Sequence, residues 1–292
     1  MHLQLYFLLL IPLSLSQKIV TFWGVVEKPN TPVEYQTTWM DCMSRCYWDD
    51  QCVAIQQKGD YGCQVFPYGK VSVIRKTDSG NGNRVGVKRR TSQCSPTFSA
   101  EFEGKVVNET YRTETLAYQY SISSATLKGI TQLTFSYNYY IECPDDSFVL
   151  LRGDNQICMA IRVFPTPAQA WRAGSELCLS DGIGLSGPYD RAEVKEIALR
   201  LDKVPLIPTP YSYTFRNYWI DGIGTGSGYN LSDSSLNGSS AYRFTSLRNN
   251  VCVFMTALRE EVQTQSCTLT QSTENSYCYR GAVCRVQHIV QY

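Results

Sequence analysis

Few residues of this 292-residue chain could do chemistry, and their spacing narrows what that chemistry could be. There are two histidines. His2 lies in an apolar leader, which leaves His288, close to the end of the chain, as the imidazole of the processed protein. A Ser-His-Asp triad or a multi-histidine zinc site would have to rest on that residue or do without it. Paired carboxylates could serve as acid and base. The pairs present, Asp49-Asp50, Asp145-Asp146 and Glu260-Glu261, are sequence neighbours, and adjacent charges ordinarily form a solvated loop face. The expectation is a protein that is not an enzyme, with no catalytic residues, no metal site and no cofactor.

The twelve cysteines are the remaining reactive set, and the leader decides what they do. Leu3 to Leu15 is almost wholly apolar, and Ser14-Leu15-Ser16 gives a small-x-small cleavage pattern before Gln17. The run is too short to span a bilayer comfortably, so residues 1–16 read as a secretory signal peptide, although the leader carries no Lys or Arg. Export places the thiols in an oxidising compartment, where they pair. Net charge is +1, from 27 basic and 26 acidic residues, and no basic run exceeds Lys88-Arg89-Arg90. Nothing in that pattern suits nucleic acid or an anionic membrane. After the leader no apolar stretch approaches the ~20 residues of a membrane span. Gln287 to Tyr292 lacks the hydrophobic tail of a lipid anchor. The expected location is extracellular, as a secreted protein without membrane insertion.

The elements that must position these residues follow the cysteines. Cys42, Cys46, Cys52 and Cys63 crowd a head, residues 17–93; Cys94 stands alone; seven cysteines from Cys143 to Cys284 occupy a tail, residues 143–292. Between them, residues 94–142 are rich in Ser, Thr and Tyr. Tyr118 to Ile122 and Leu133 to Tyr137 alternate as strands do, so this stretch reads as a partly structured connector. In the head, Thr37-Thr38 caps a helix that starts at Trp39 and has Asp41 in its first turn. Cys42 and Cys46 share one face of it. Cys52 to Gln56 and Cys63 to Phe66 read as strands, each begun by a cysteine. The nested pairing Cys46–Cys52 and Cys42–Cys63 minimises crossing, and each bridge contributes roughly 2–4 kcal/mol. A four-thiolate zinc site is the rival, but the usual two-residue gaps are absent.

At these residues the head resembles the PAN/apple family, in particular the PAN-3 or CW form common in secreted roundworm proteins. The resemblance rests on Trp23-Gly24, on Trp39 with Cys42, Cys46, Cys52 and Cys63 at their spacing, and on the late strand Asn83 to Lys88. It implies a small α+β fold, one helix across an antiparallel sheet, that binds proteins or carbohydrates.

The tail opens with Cys143-Pro144-Asp145-Asp146 and a strand, and Cys158 lies on the return strand. Pro165-Thr166-Pro167 introduces a helix carrying Trp171, Gly174 and Cys178 on one side. A second helix runs from about Arg191 to Leu201, with Val194, Ile197, Ala198 and Leu201 as its apolar stripe. Tyr218 to Gly222, a Gly/Ser/Asn-rich stretch and Asn250 to Met255 follow, and Cys267, Cys278 and Gly281 to Val286 close the chain.

This order resembles the C-type lectin-like domain. The matching residues are Trp171, Gly174 and Cys178; Leu185-Ser186-Gly187 to Glu193; Trp219-Ile220-Asp221-Gly222; Cys252-Val253 with Met255; and Ala282-Val283-Cys284. The resemblance implies an α+β double-loop fold closed by Cys178–Cys284, with Cys252–Cys267 bracing the ligand loops and Cys143–Cys158 as an amino-terminal hairpin bridge. Trp171 and Trp219 read as core. Sugar-binding members hold calcium with a Glu-Pro-Asn or Gln-Pro-Asp triplet and a Trp-Asn-Asp. Here Trp219 to Cys252 offers two acids, Asp221 and Asp233, and Val262-Gln263-Thr264 stands ahead of Cys267. Calcium wants several clustered oxygens, so calcium-dependent sugar binding is not expected.

Asn108, Asn230 and Asn237 each begin a glycosylation sequon, and the last two fall where a lectin's ligand loop would be. The reading is an α+β protein of two disulfide-stapled modules, a PAN/apple-like head and a C-type lectin-like tail. Its expected function is secreted recognition of carbohydrate or microbial surfaces without the usual calcium site, with a part in innate immunity implied by the resemblance. The alternative is a protein-binding or extracellular-matrix module that binds no sugar. The partner is then a glycan or a cell-surface protein. The nearest candidate ligand residues are Tyr229, Asn230, Asn237, Tyr242 and Asn249. Cys94 and Cys278 are left over, to join the modules or to pair with another chain.

Overall fold

The computed structural model describes residues 17–27, 29–80, 82–91, 97–153, 155–166, 168–180, 182–205, 215–242, 248–257, 259–272 and 277–289. The leader at 1–16, Pro167, Cys94 and the last three residues lie outside them. The chain divides into two compact units, Met1–Tyr111 with Tyr118–Tyr140, and Arg112–Ala117 with Ile141–Tyr292. Among the described residues no helix is long and apolar enough to cross a membrane.

The first unit holds β1 (Gln17–Glu27), β2 (Val33–Gln36), α1 (Trp39–Trp48), β3 (Cys52–Gln57), β4 (Gly62–Pro67), β5 (Val73–Lys76), β6 (Asn83–Arg90), α2 (Phe98–Phe102), β7 (Val106–Arg112), β8 (Leu116–Leu127) and β9 (Ile130–Glu142). Its sheet runs β2-β4-β3-β6-β1-β5-β9-β8-β7. Thr38 caps α1 by accepting from the Asp41 N–H, which satisfies one of the donors a helix start leaves open. Cys42 and Cys46, both fully buried, face the sheet and bond to Cys63 and Cys52. At the other end of α1, the buried Lys88 of β6 donates to the carbonyls of Cys46, Tyr47 and Asp49 at 2.9, 2.9 and 2.8 Å. A cation is favourable at that end of a helix, where carbonyls are unpaired.

The described part of the stretch read as a partly structured connector, residues 97–142, holds α2 and the strands β7 to β9 and belongs mostly to the first unit. β9 pairs with β5 through Ile74↔Leu133, so β7 to β9 extend the head's own sheet. The Ser/Thr/Tyr composition concealed this. In an alternating strand only every second residue must be apolar, and here Tyr118, Tyr120 and Ile122 take the inner positions with no exposure. Their rings pack with Tyr68 and Tyr137, as in the Tyr68–Tyr137 contact at 4.7 Å between centroids. Lys128 and Gly129, at φ 52° and 78°, make the tight turn between β8 and β9.

The second unit holds β10 (Ser147–Arg152), β11 (Asn155–Val163), α3 (Trp171–Leu179), β12 (Gly182–Leu185), α4 (Arg191–Lys203), β13 (Phe215–Gly224), β14 (Tyr229–Asn230), a 3-10 turn (Ser234–Leu236), β15 (Val251–Thr256), β16 (Arg259–Ser266), β17 (Gln271–Ser272) and β18 (Tyr277–Val286). The main sheet order is β10-β11-β18-β13-β15-β16, and β13 and β18 run parallel. Alternation along β13 builds two apolar clusters. Tyr218 and Ile220 pack with Val194, Ile197, Ala198 and Leu201 of α4. Trp219 packs with Cys178 of α3, Phe254, Tyr279 and Ala282. Gly174 lets α3 approach this closely, because a Cβ there would lie 3.2 Å from the Trp219 Cβ. Trp219 is fully buried and Trp171 partly so, and both indole N–H groups donate to carbonyls, Gln169 at 2.9 Å and Ile220 at 3.1 Å. Disulfides join Cys143–Cys158, Cys178–Cys284 and Cys252–Cys267, so the five bridges among the described residues are the five pairs named above. Cys278 is a buried free thiol, and burial raises its pKa.

Candidate functional site

The loop that follows β13 is the segment in which the candidate ligand residues fall. β14 folds back on β13 through Ile223↔Asn230 and Gly224↔Tyr229, with the Thr225 N–H donating to the Gly228 carbonyl at the tip. Asn250, at φ 58°, returns the chain by donating to the Gly224 carbonyl. Between these points the 3-10 turn starts at Asp233, whose carboxylate accepts from the Ser235 N–H at 3.0 Å. Asn230, Asn237 and Asn249 are exposed, and Tyr229 is half-buried.

Tyr242 does not belong with them. It is 5% exposed, packs 5.6 Å from the Tyr229 ring, and donates its hydroxyl to the Asp221 carbonyl at 3.0 Å. Burial raises its pKa well above the ordinary value. An aromatic with a polar tip suits a ligand loop and a core equally well in sequence; here its hydroxyl ties the loop to β13 from inside. Tyr242 is therefore corrected from a ligand candidate to a core residue.

Beneath the loop lies a buried ionic network. Asp221 Oδ1 accepts from Ser232 Oγ and Asp221 Oδ2 from the Asp233 N–H, both at 2.8 Å. Asp233 accepts from Ser186 Oγ, from Ser235 Oγ at 2.7 Å and from Arg285 NH1 at 2.8 Å. Arg152 spans the space between. Its Nε and NH2 bond Glu193, NH1 donates to Ser235 Oγ at 2.6 Å, and NH1 lies 3.9 Å from Asp233. Burial and the neighbouring Asp233 raise the Asp221 carboxyl, although its hydrogen bonds oppose this. Burial also pushes Asp233 upward, but the Ser186, Ser235 and Arg285 partners outweigh it and its pKa is lowered. The two acids that a cation would need are thus already engaged by protein donors.

The other groups singled out in the sequence are dispersed. Asp49, Asp50, Asp145, Asp146, Glu260, Glu261 and His288 are exposed. Asp146 pairs with Arg162 at 2.9 Å, and Glu260 lies 4.0 Å from Arg191. Asn108 is exposed on β7, which ends the first sheet. Among the described residues no group of three or more His, Cys, Asp or Glu could hold a metal ion. Sequence reasoning missed Arg152 and Arg285 altogether. The network joins residues on separate strands and loops, as with Arg152 and Ser235, 83 positions apart.

Residues 19–89 match the family model of the PAN-like domain, which spans β1 to β6 with α1 and both head disulfides. No curated protein and no solved structure matches the chain.

Proposed function

We propose that the chain is a secreted, non-enzymatic recognition protein, with a C-type lectin-like second unit that binds carbohydrate or a microbial surface without calcium. The observation that carries the reading is the loop after β13. It exposes Asn230, Asn237 and Asn249 on a backbone anchored by Asp221, Asp233 and Tyr242. Supporting it are the PAN-like domain at residues 19–89, of a kind often used for protein or carbohydrate interaction, and five disulfides, which suit an oxidising compartment. A helix on each side of the second sheet, with Cys178–Cys284 joining α3 to β18, supports the lectin-like assignment. A role in innate defence follows from that reading.

A second reading is favoured by the sequons. Asn230 and Asn237 are both exposed on the ligand loop, and glycans on them would cover the surface a sugar would use. On that reading the module binds a protein or the extracellular matrix. A glycan array probed with the mature protein, once with calcium and once with chelator, separates the two. Sugar binding that survives chelation supports the first. An empty array together with capture by a purified surface protein supports the second. Binding that chelation abolishes refutes the calcium-independent mechanism.

A further inference from the structure

Among the described residues of the second unit, the buried charged side chains have hydrogen-bond or ion-pair partners for their charged groups, apart from one. Arg280 of β18 is 2% exposed, and its NH1 and NH2 have no hydrogen-bond partner among the described residues. It sits at an irregularity of the parallel pair: Asn217 lies opposite Tyr279 and Tyr218 opposite Gly281, so Arg280 has no counterpart on β13. Its carbonyl is used, accepting from the Phe164 N–H at 2.9 Å. Its two terminal nitrogens are not.

Tyr218 is a neighbour in the same condition. It is fully buried, and its hydroxyl has no partner among the described residues. The register of the parallel pair sets Arg216 opposite Cys278 and Tyr218 opposite Gly281, so these residues flank Arg280, and the charges of Arg216 and Arg280 both act on the Tyr218 hydroxyl and on the Cys278 thiol. Arg216, opposite Cys278, is already engaged, with NH2 on Asp202 at 2.8 Å and NH1 on the Val204 carbonyl at 3.1 Å. Asp202 therefore balances Arg216, and among the described residues no acid pairs with Arg280.

A buried guanidinium without a partner is strongly unfavourable, and native folds satisfy such groups. The two free nitrogens form a planar fork that matches two oxygens of one oxyanion. We propose that Arg280 and Tyr218 form a buried oxyanion-binding site in the second unit, taking a carboxylate or a phosphate group. The guanidinium supplies charge and two donors, and the hydroxyl supplies a further donor.

The test is thermal unfolding of the full mature chain in chloride buffer, titrated with inorganic phosphate or with acetate at matched ionic strength. The expected result is a saturable rise in the unfolding midpoint with at least one of them, absent in R280M. Y218F should need about fivefold more anion for the same rise, the weakening that loss of one neutral hydrogen bond gives. A response to phosphate alone assigns a free tetrahedral anion, and a response to acetate assigns a carboxylate. A general salt effect on stability would appear equally in R280M, and that outcome overturns the site. No response to either anion in the unaltered protein also overturns it. Should R280M fail to fold, labelling of Cys278 by a thiol reagent supplies the second measurement. Bound anion should slow it severalfold in the unaltered protein and less in Y218F, and equal rates with and without anion refute the proposal.

Discussion

Replacing Lys88 with methionine should destabilise the first unit by about 3 kcal/mol at pH 7, and by more as the pH rises. The side chain is fully buried and donates to three carbonyls at the C-terminal end of α1. Methionine keeps the apolar stem and removes the donors. Three hydrogen bonds to a charged group are lost, at roughly 1.5–3 kcal/mol each and about 6 kcal/mol together. The Tyr47 carbonyl keeps the Gln17 Nε2 donor and the Asp49 carbonyl keeps the Cys52 N–H, so the Cys46 carbonyl is the one left open. Against that stands the cost of burying the charge. Burial, with Arg90 nearby, lowers the lysine from 10.5 to about 8. At 1.36 kcal/mol per unit this is a penalty of about 3 kcal/mol at pH 7, which the substitution relieves. The difference is a net loss of about 3 kcal/mol. The pH dependence fixes the sign independently. The folded pKa lies below the unfolded one, so between pH 8 and 10.5 the unfolded chain binds more protons, and the stability of the unaltered protein rises with pH across that window. The gap to K88M should widen by about 2 kcal/mol between pH 7 and 9.5. Denaturant unfolding with disulfides intact, at both pH values, measures it. A gap under about 0.5 kcal/mol at pH 7, or one that stays flat or narrows on going alkaline, refutes the argument.

Removing the Cys178–Cys284 bridge, which spans 106 residues, should cost about 5 kcal/mol by loop entropy, against about 2 kcal/mol for Cys46–Cys52, which spans 6. Paired alanine substitutions and denaturant midpoints give the order, and the reverse order would show that strain or unfolded-state structure dominates. D233N should cost about 3–5 kcal/mol, because it leaves the buried Arg152 and the part-buried Arg285 around a neutral group. Since the Asp233 pKa is depressed, its contribution is present above the unfolded carboxyl range and is lost as the pH falls through the folded value, so acid should narrow the difference between D233N and the unaltered protein. Calorimetry should show no calcium binding at micromolar affinity or tighter. Such binding, abolished in D221N or D233N, would mean that the loop carboxylates are free to rearrange.

Much of the head and the helices of the tail were legible because their signals are local. Thr38, Asp41, Cys42 and Cys46 lie within one helix and its cap, and Val194, Ile197, Ala198 and Leu201 lie on one stripe of another. The two head disulfides followed from cysteines on one helix face opposite two strand-borne cysteines, and the three tail pairings from the resemblance to the C-type lectin-like domain. The outer strands of the first sheet were partly legible. Their alternation was visible, but which sheet they joined was not, since Ile74↔Leu133 is a long-range pairing that nothing nearby in sequence encodes. The loop was the least legible part. Tyr229 and Tyr242 have similar sequence surroundings, yet one is half exposed and the other buried, because the Tyr242 hydroxyl reaches a backbone carbonyl from the core side. Arg152 carries no sequence mark that distinguishes it from a surface arginine, and its role exists only once β10, the start of α4 and the 3-10 turn come together.

The ionic network bears on how the loop could recognise anything. In a metal-held loop, order and charge balance arrive with the ion, and the ligand can use the same ion. Here the charge of Asp233 is balanced by Arg285, with Arg152 close by, and the turn it caps is ordered as part of folding. On the proposed reading the loop is preorganised, so the entropy lost on binding is confined to side chains. The groups left to make contacts on the exposed side are neutral amides and small hydroxyls, Asn230, Asn237, Asn249 and the Thr225–Gly228 turn, with Arg248 beside Asn249 as an exposed charge. Mostly neutral, hydrogen-bonding and shape-fixed, such a surface favours a ligand rich in hydroxyls. Glycosylation decides between the readings. With Asn230 and Asn237 occupied, Asn249 and the turn remain, too small a face for a multi-contact sugar. Sugar binding that appears only in N230Q/N237Q protein would therefore identify the glycans as what blocks the site, whereas equal binding by both forms would place the sugar elsewhere in the molecule.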